Sequence, residues 1–160
     1  MEYYTDILEP SKDLNTAVDQ LGSKIGDLYR EAWDKHMSAR YSNKPFSLNA
    51  TVFVNMWLNG VIKLFITYDK ADNKPVGFLV GMTFRPMPYE ANVFQIEDWY
   101  VREEHKEAER GMLDHVVNAI RYMSCDEIWA PGDNNGNAPD LGMKWKKANT
   151  FSRYRYTKNE

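Results

Sequence analysis

The sequence predicts an α/β protein, an α+β mixed sheet of about six strands, mostly antiparallel, with helices on both faces. Three observations carry that expectation. Residues 61–101 hold three consecutive segments rich in β-branched and aromatic residues, separated by turn sequences, which makes them antiparallel neighbours. Two stretches, 14–32 and 112–123, repeat apolar residues at helical spacing. A further strand-like segment, DEIWA (126–130), follows the second of these. Strand, helix and strand in that order make a crossover to a parallel neighbour, so the sheet is mixed. At 160 residues the chain reads as one domain, 1–160, able to bury a substantial core.

Taken in order, YYTDIL (3–8) forms a short strand ended by Pro10, and Ser11 reads as a helix N-cap. Leu14, Val18, Leu21, Ile25, Leu28 and Ala32 recur at spacings of four and three, one apolar helical face that Gly22 and Gly26 weaken locally. The polar stretch SARYSNKP breaks the pattern, and a second helix covers Leu48 to Leu58 with Asn59-Gly60 as its stop. VIKLFITYDK (61–70) and PVGFLVGMTF (75–84) form a hairpin through ADNK. PMPY (86–89) is a turn, because two prolines cannot sit inside a central strand, and NVFQIEDWYV (92–101) is the next strand. Met112, Leu113, Val116, Val117, Ile120 and Met123 mark a helix. After DEIWA come a loop, PGDNNGN (131–137), a short helix around Pro139 to Lys147, and a last strand, TFSRYRYTK. There is no internal repeat, low-complexity segment or interdomain linker.

Net charge is −3 and pI about 5.7, so no basic field invites nucleic acid. The cluster Lys144, Lys146, Lys147, Arg153, Arg155 and Lys158 reads as a solvated face. Cys125 is the only cysteine, which excludes an internal disulfide and a cysteine-rich zinc site and fits a reducing, cytoplasmic home. His36, His105 and His115 stand near no other candidate ligand, so no metal site is expected. The first twenty residues lack the basic start and apolar run of a signal peptide, and no apolar stretch approaches the roughly eighteen residues of a membrane span. A soluble protein with no membrane partner is the expectation.

The stretch IEDWYVREEHKEAERGMLDHVV (96–117) carries the candidate chemistry. An apolar strand runs through a charged bend into an amphipathic helix, and such a helix start offers free N–H groups to a phosphate. The bend nevertheless holds Glu103, Glu104, Glu107 and Glu109. Acidic residues at a helix N-terminus also have a purely structural use, because they complement the helix dipole. Glu97 and Asp98 are carboxylates inside an otherwise apolar strand. Alternation sends them to opposite faces, so only one can meet a given cleft.

The element order, with KPVGFLVG (74–81), DWYV (98–101) and VREEHKEAERGM (101–112), resembles the GNAT acyltransferases, which move an acetyl group from acetyl-CoA to an amine. The resemblance covers nearly the whole chain. It implies a loop of the type Gln/Arg-x-x-Gly-x-Gly/Ala whose backbone amides hold the CoA pyrophosphate. Lys106 then takes the first position, Glu109 the first glycine and Gly111 the second. Residues Lys106, Glu107, Ala108, Glu109, Arg110 and Gly111 become the expected pyrophosphate site. It further implies that Tyr100 and Val101 offer backbone groups to the acetyl and pantetheine arm. Asn134 (with Asn135 and Asn137) follows the next strand, and Trp145 stands where the family often has a tyrosine. Glu97 or Asp98 would act as general base, since acetyl transfer needs an unprotonated amine. Tyr154 or Tyr156 would supply a phenol to the leaving thiolate.

Two functional readings follow. In one the chain is an acetyl-CoA-dependent N-acetyltransferase with an unidentified amine acceptor. In the other it is a catalytically inactive protein of the same shape that has lost the cofactor. It then works by contact with a protein partner, for example as a structural component of a tailed-phage virion. The acidic bend favours the second, since a carboxylate about 5 Å from a phosphate costs roughly 1 to 3 kcal/mol.

Overall fold

The computed structural model describes residues 2–38, 44–87, 90–131, 140–142, 145–148 and 154–159, with backbone only at 146–148, 154 and 155. In chain order the elements are β1 (Tyr3–Ile7), α1 (Leu14–Leu21), a π-helical turn (Gly22–Gly26), α2 (Asp27–Ala32), a second π-helical turn (Trp33–Met37) and α3 (Ala50–Leu58). Then come β2 (Ile62–Asp69), β3 (Pro75–Phe84), β4 (Val93–Val101), a 3-10 turn (Glu103–His105), α4 (Ala108–Tyr122), β5 (Glu127–Ala130), β6 (Trp145–Ala148) and β7 (Tyr154–Lys158). The strands form one sheet in the order β1-β2-β3-β4-β5-β7-β6, antiparallel except for the β4–β5 pair.

Local chemistry explains the boundaries. Asp13, not Ser11, caps α1: its carboxylate accepts from the Thr16 N–H at 2.9 Å and the Thr16 hydroxyl at 2.7 Å. Those bonds, the backbone one first, hold the Asp13 carboxyl below its usual range. The Ser11 N–H instead donates to the Gln20 side chain. Gly22 and Gly26, poor helix formers, bound the first π-helical turn. Asn49 caps α3 by accepting from the Val52 N–H at 3.2 Å, and Gly60 ends it with a φ of +73°, a conformation that strains any side chain. In the β2–β3 turn, Asp69 and Asp72 accept from the N–H groups of Ala71 and Lys74, the local bonding that aspartate brings to turns.

Alternation along the meander separates two cores. Phe65, Leu79, Phe94 and Ile96 meet Met112, Val116 and Ile120 of α4 on one face. Leu64, Ile66, Phe78 and Val80 meet Leu21, Ile25, Leu28, Val54 and Trp57 on the other. Full burial of each such side chain contributes about 1.5 to 3 kcal/mol before entropic costs. The two layers clamp β4 between them, which fixes the strand that the charged bend leaves.

One element differs from expectation. Residues 145–147, expected at the end of a helix, lie in β6, which pairs with β7 from Trp145↔Lys158 to Ala148↔Arg155. Trp145 is buried in the α4-side core, so strand pairing and burial override local pattern there. Residues 150–153 of the expected last strand, and Pro88 and Tyr89 of the PMPY turn, lie outside the described residues. No helix among the described residues is long and apolar enough to cross a membrane.

Candidate functional site

The β4–β5 pair holds together at three positions only: Val93↔Glu127, Phe94↔Ile128 and Gln95↔Trp129. β4 then runs on to Val101 with β3 along one edge, and no described strand along the other. The two central strands therefore part at Ile96. The Arg102 N–H donates to the Val76 carbonyl at 3.0 Å, which sets the phase of the antiparallel ladder. Counting back in twos, Tyr100 and Asp98 spend their backbone groups on β3, while Val101 and Trp99 turn theirs into the opening. Of the two expected backbone contributors, Val101 is so placed. Tyr100 is not, whereas the neighbouring Trp99 backbone faces the opening.

The register also shifts within β4. Asp98 faces Val80, but Ile96 faces Gly81, so Glu97 is an extra residue opposite no partner, a β-bulge. The bulge cancels one alternation. Asp98 accepts from the Tyr29 hydroxyl of α2 at 2.5 Å. Glu97 accepts from the side chain of Gln95, whose cross-strand partner Met82 packs on the same core as α1–α3. Both carboxylates thus lie on the α1–α3 side, not on opposite faces as alternation predicts. On the opposite, α4-side face, Gly81 leaves room for the Phe94 ring, because a Cβ there would fall inside it. Tyr29 itself is held by stacking on Phe78 at 4.8 Å and Phe46 at 5.6 Å between centroids.

A second constellation lies two residues further along the same helix. Glu31 accepts from the Tyr100 hydroxyl at 2.7 Å, the Lys35 ammonium at 2.9 Å and the Arg102 Nε at 3.0 Å. Burial pushes the Glu31 carboxyl up, but those three donors outweigh it and hold it at about 2. Burial, and then the bond to Glu31, push the Tyr100 phenol up in turn. His36, in the adjoining π-helical turn, lies 5.8 Å from the Tyr100 ring. Sequence reasoning missed Glu31 because two of its three partners, Tyr100 and Arg102, stand 69 and 71 residues away, and only the i,i+4 pair with Lys35 is local.

The cations Lys106 and Arg110 of the β4–α4 connection and the first turn of α4 are paired with carboxylates. Glu109 accepts from Lys106 at 3.0 Å and from the Trp99 indole at 3.2 Å. Arg110 pairs with Asp114 and donates to the Asp140 carbonyl at 3.0 Å. Glu107 accepts from Tyr3 at 3.0 Å, and Ala108 is buried in the core. The start of α4 has no side-chain cap, and a Cβ at Gly111 would meet nothing within 4 Å. Gly111 is therefore not needed for packing.

Other expectations divide. Asn134, Asn135 and Asn137 lie outside the described residues. Trp145 cannot serve at the opening: β6 is separated from β5 by β7, roughly 10 Å across the sheet, and Trp145 pairs with Lys158, beyond the β5 end that faces away from the cleft. Tyr156 is buried in the α4-side core. Tyr154 stands opposite Ala130 at the cleft end of β5. Among the described residues no group of three or more histidine, cysteine, aspartate or glutamate side chains could hold a metal ion.

No protein-family model and no curated protein matches the sequence. Solved structures do. An aminoglycoside acetyltransferase from an uncultured soil metagenomic sample superposes with a TM-score of 0.56 at 14% identity, over 83% of this chain and 81% of that one. A predicted acetyltransferase with acetyl-CoA from Clostridium acetobutylicum gives 0.57 at 13%, over 84% of each chain. A ribosomal-protein-alanine N-acetyltransferase from Brucella melitensis biovar Abortus 2308 gives 0.52 at 13%, over 86% and 81%. At such identities the likeness is one of architecture: the chain carries the fold of the GNAT N-acetyltransferases.

Proposed function

We propose that this chain is an N-acetyltransferase of the GNAT superfamily, moving an acetyl group from acetyl-CoA to a primary amine. The observation that carries the reading is the parting of β4 from β5 at Ile96, with the backbone of Trp99 and Val101 turned into the gap beside two carboxylates. The residues present fit acetyl-CoA: Trp99 and Val101 offer an unpaired edge to its pantetheine arm, and the start of α4, which no side chain caps, offers N–H groups to its phosphates, apart from that of Glu109, which donates to the Lys106 carbonyl. Bound there, it supplies an activated thioester. Asp98 or Glu97 takes the proton of the acceptor ammonium, directly or through water, so that the amine nitrogen has a free pair. The departing thiol, with an ordinary pKa of about 8.5, needs little help from an acid.

The test is thiol release from acetyl-CoA in the presence of a panel of primary amines. Aminoglycosides belong on it because a protein of similar fold is named for acting on them. Amine-dependent thiol release supports the reading. Acetyl-CoA binding without turnover of any amine, or no binding, counts against it.

A second reading rests on a specific observation. Lys106 and Arg110 are paired with carboxylates and Glu109 occupies the first turn of α4, so the phosphate site is weakened. Under that reading the fold acts by contact with a protein partner, as in a tailed-phage virion, and acetyl-CoA binding is absent.

A further inference from the structure

Three strong cations lie in or beside the β4–α4 connection: Arg102, Lys106 and Arg110. Two are consumed, Lys106 by Glu109 and Arg110 by Asp114 and Asp140. Arg102 differs. Its Nε donates to Glu31, which fixes the plane of the guanidinium, while its two terminal nitrogens have no partner among the described residues. Glu31 is itself shared with Lys35 and Tyr100, so one negative charge stands against two positive ones. The side chains of Arg102 and Lys35 remain 28% and 48% exposed, so the surplus charge is accessible.

The geometry points to Arg102, held by Glu31, as an anion-binding site at the mouth of the β4–β5 opening, with phosphate or carboxylate as its ligand. A guanidinium pinned through Nε presents its terminal N–H groups as a ready fork for either group. The anion has two sources, a phosphate of acetyl-CoA or an acidic group on the acceptor. In both cases the inference rests on the acetyltransferase reading for its biological sense. Glu31 is a positioning residue: it touches no ligand and acts by orienting Arg102.

Calorimetry on the full chain, with inorganic pyrophosphate, acetyl-CoA and acetyl-pantetheine as probes, tests this in the native protein and in Arg102→Gln, Glu31→Gln and Arg102→Lys. A melting curve for each variant confirms that it is folded. If the cofactor phosphate is the ligand, Arg102→Gln weakens pyrophosphate and acetyl-CoA tenfold or more and leaves acetyl-pantetheine unchanged. If the acceptor carries the anion, acetyl-CoA binding is unchanged and KM rises tenfold or more for carboxylate-bearing amines but not for neutral ones. Glu31→Gln moves the same quantity in the same direction by a smaller factor. Arg102→Lys does not restore it, because one ammonium cannot serve Glu31 and a planar anion together. A purely structural role lowers melting temperature and leaves these affinities alone. Folded Arg102→Gln with native affinity for pyrophosphate and acetyl-CoA, and native KM for acidic amines, overturns the proposal. Failure of the native protein to bind acetyl-CoA defeats the acetyltransferase reading instead. The pyrophosphate arm then decides Arg102 alone: a tenfold loss in Arg102→Gln supports the site, and an unchanged affinity overturns it.

Discussion

Replacing Glu109 by glycine separates two effects of one carboxylate. The first is on stability. Glu109 pairs with Lys106 at 3.0 Å between side chains 54% and 28% exposed, which contributes about 0.2 to 1 kcal/mol. Its charge in the first turn of α4 contributes about 0.3 to 1 kcal/mol more, and glycine at a helical position costs up to about 1 kcal/mol. The Trp99 indole also loses its acceptor. Glu109→Gly is therefore expected to lose about 1 to 3 kcal/mol, seen as a fall of about 3 to 9 °C in melting temperature. The second effect is on binding, with the opposite sign. A unit charge removed about 6 Å from a phosphate, at an effective dielectric of 40 to 80, is worth about 0.7 to 1.4 kcal/mol, so acetyl-CoA should bind about threefold to tenfold more tightly. Lys106, released from its pair, adds to the gain. Calorimetry at 50 and 300 mM salt checks this, and screening should shrink the gain at the higher salt. A less stable protein with unchanged or weaker acetyl-CoA binding would show that Glu109 points away from the phosphates and that the acidic connection is no obstacle.

Other outcomes follow from the same geometry. The Glu31 carboxyl is held near 2, below its unfolded value of 4.5, so its contribution to stability is fully present above pH 4.5 and is lost as pH falls towards 2. With a quarter of the side chain exposed, that contribution is about 1 to 2 kcal/mol, and urea midpoints of native and Glu31→Gln protein should differ at pH 7 and converge near pH 2. Equal midpoints at pH 7 would deny the network any energetic weight. Gly81→Ala should cost about 1 to 3 kcal/mol by driving a methyl group into the Phe94 ring, and an unchanged unfolding midpoint would contradict the close packing of Phe94 on Gly81. Asp98→Asn or Glu97→Gln should cut turnover about a hundredfold while acetyl-CoA affinity stays within about twofold. Native turnover in both across pH 6 to 9 removes both carboxylates from the mechanism.

The sheet and helices were legible where periodicity is strong. The alternating meander of β2 to β4, the 3.6-residue repeat of α4 and the Asn59-Gly60 stop each appear as a local pattern with a local cause. The bulge at Glu97 was not legible, because a register shift leaves the composition of a strand untouched and shows only against its partner. That one residue reversed the expected separation of Glu97 and Asp98. The four-residue strand β6 was hidden because its pairing with β7 and the burial of Trp145 are non-local. Within the candidate site, the strand and the bend were visible as apolar and charged runs. The capture of Lys106 and Arg110 by Glu109 and Asp114 fits helical spacings of three and four, a signal that was present in the sequence and not weighed. Arg102 was hidden for another reason: its meaning depends on Glu31, which only folding brings beside it.

The central claim is that the gap between β4 and β5 is a working acetyl-CoA cleft. The most direct measurement is a titration of the native protein with acetyl-CoA followed by amide chemical shifts in NMR. The account predicts saturable shifts centred on the N–H groups of Trp99 and Val101 and on residues 108–111 at the start of α4, with Tyr100 moving less because its N–H is bonded to β3. No shifts at millimolar acetyl-CoA, or shifts confined to residues away from β4 and α4, would contradict it.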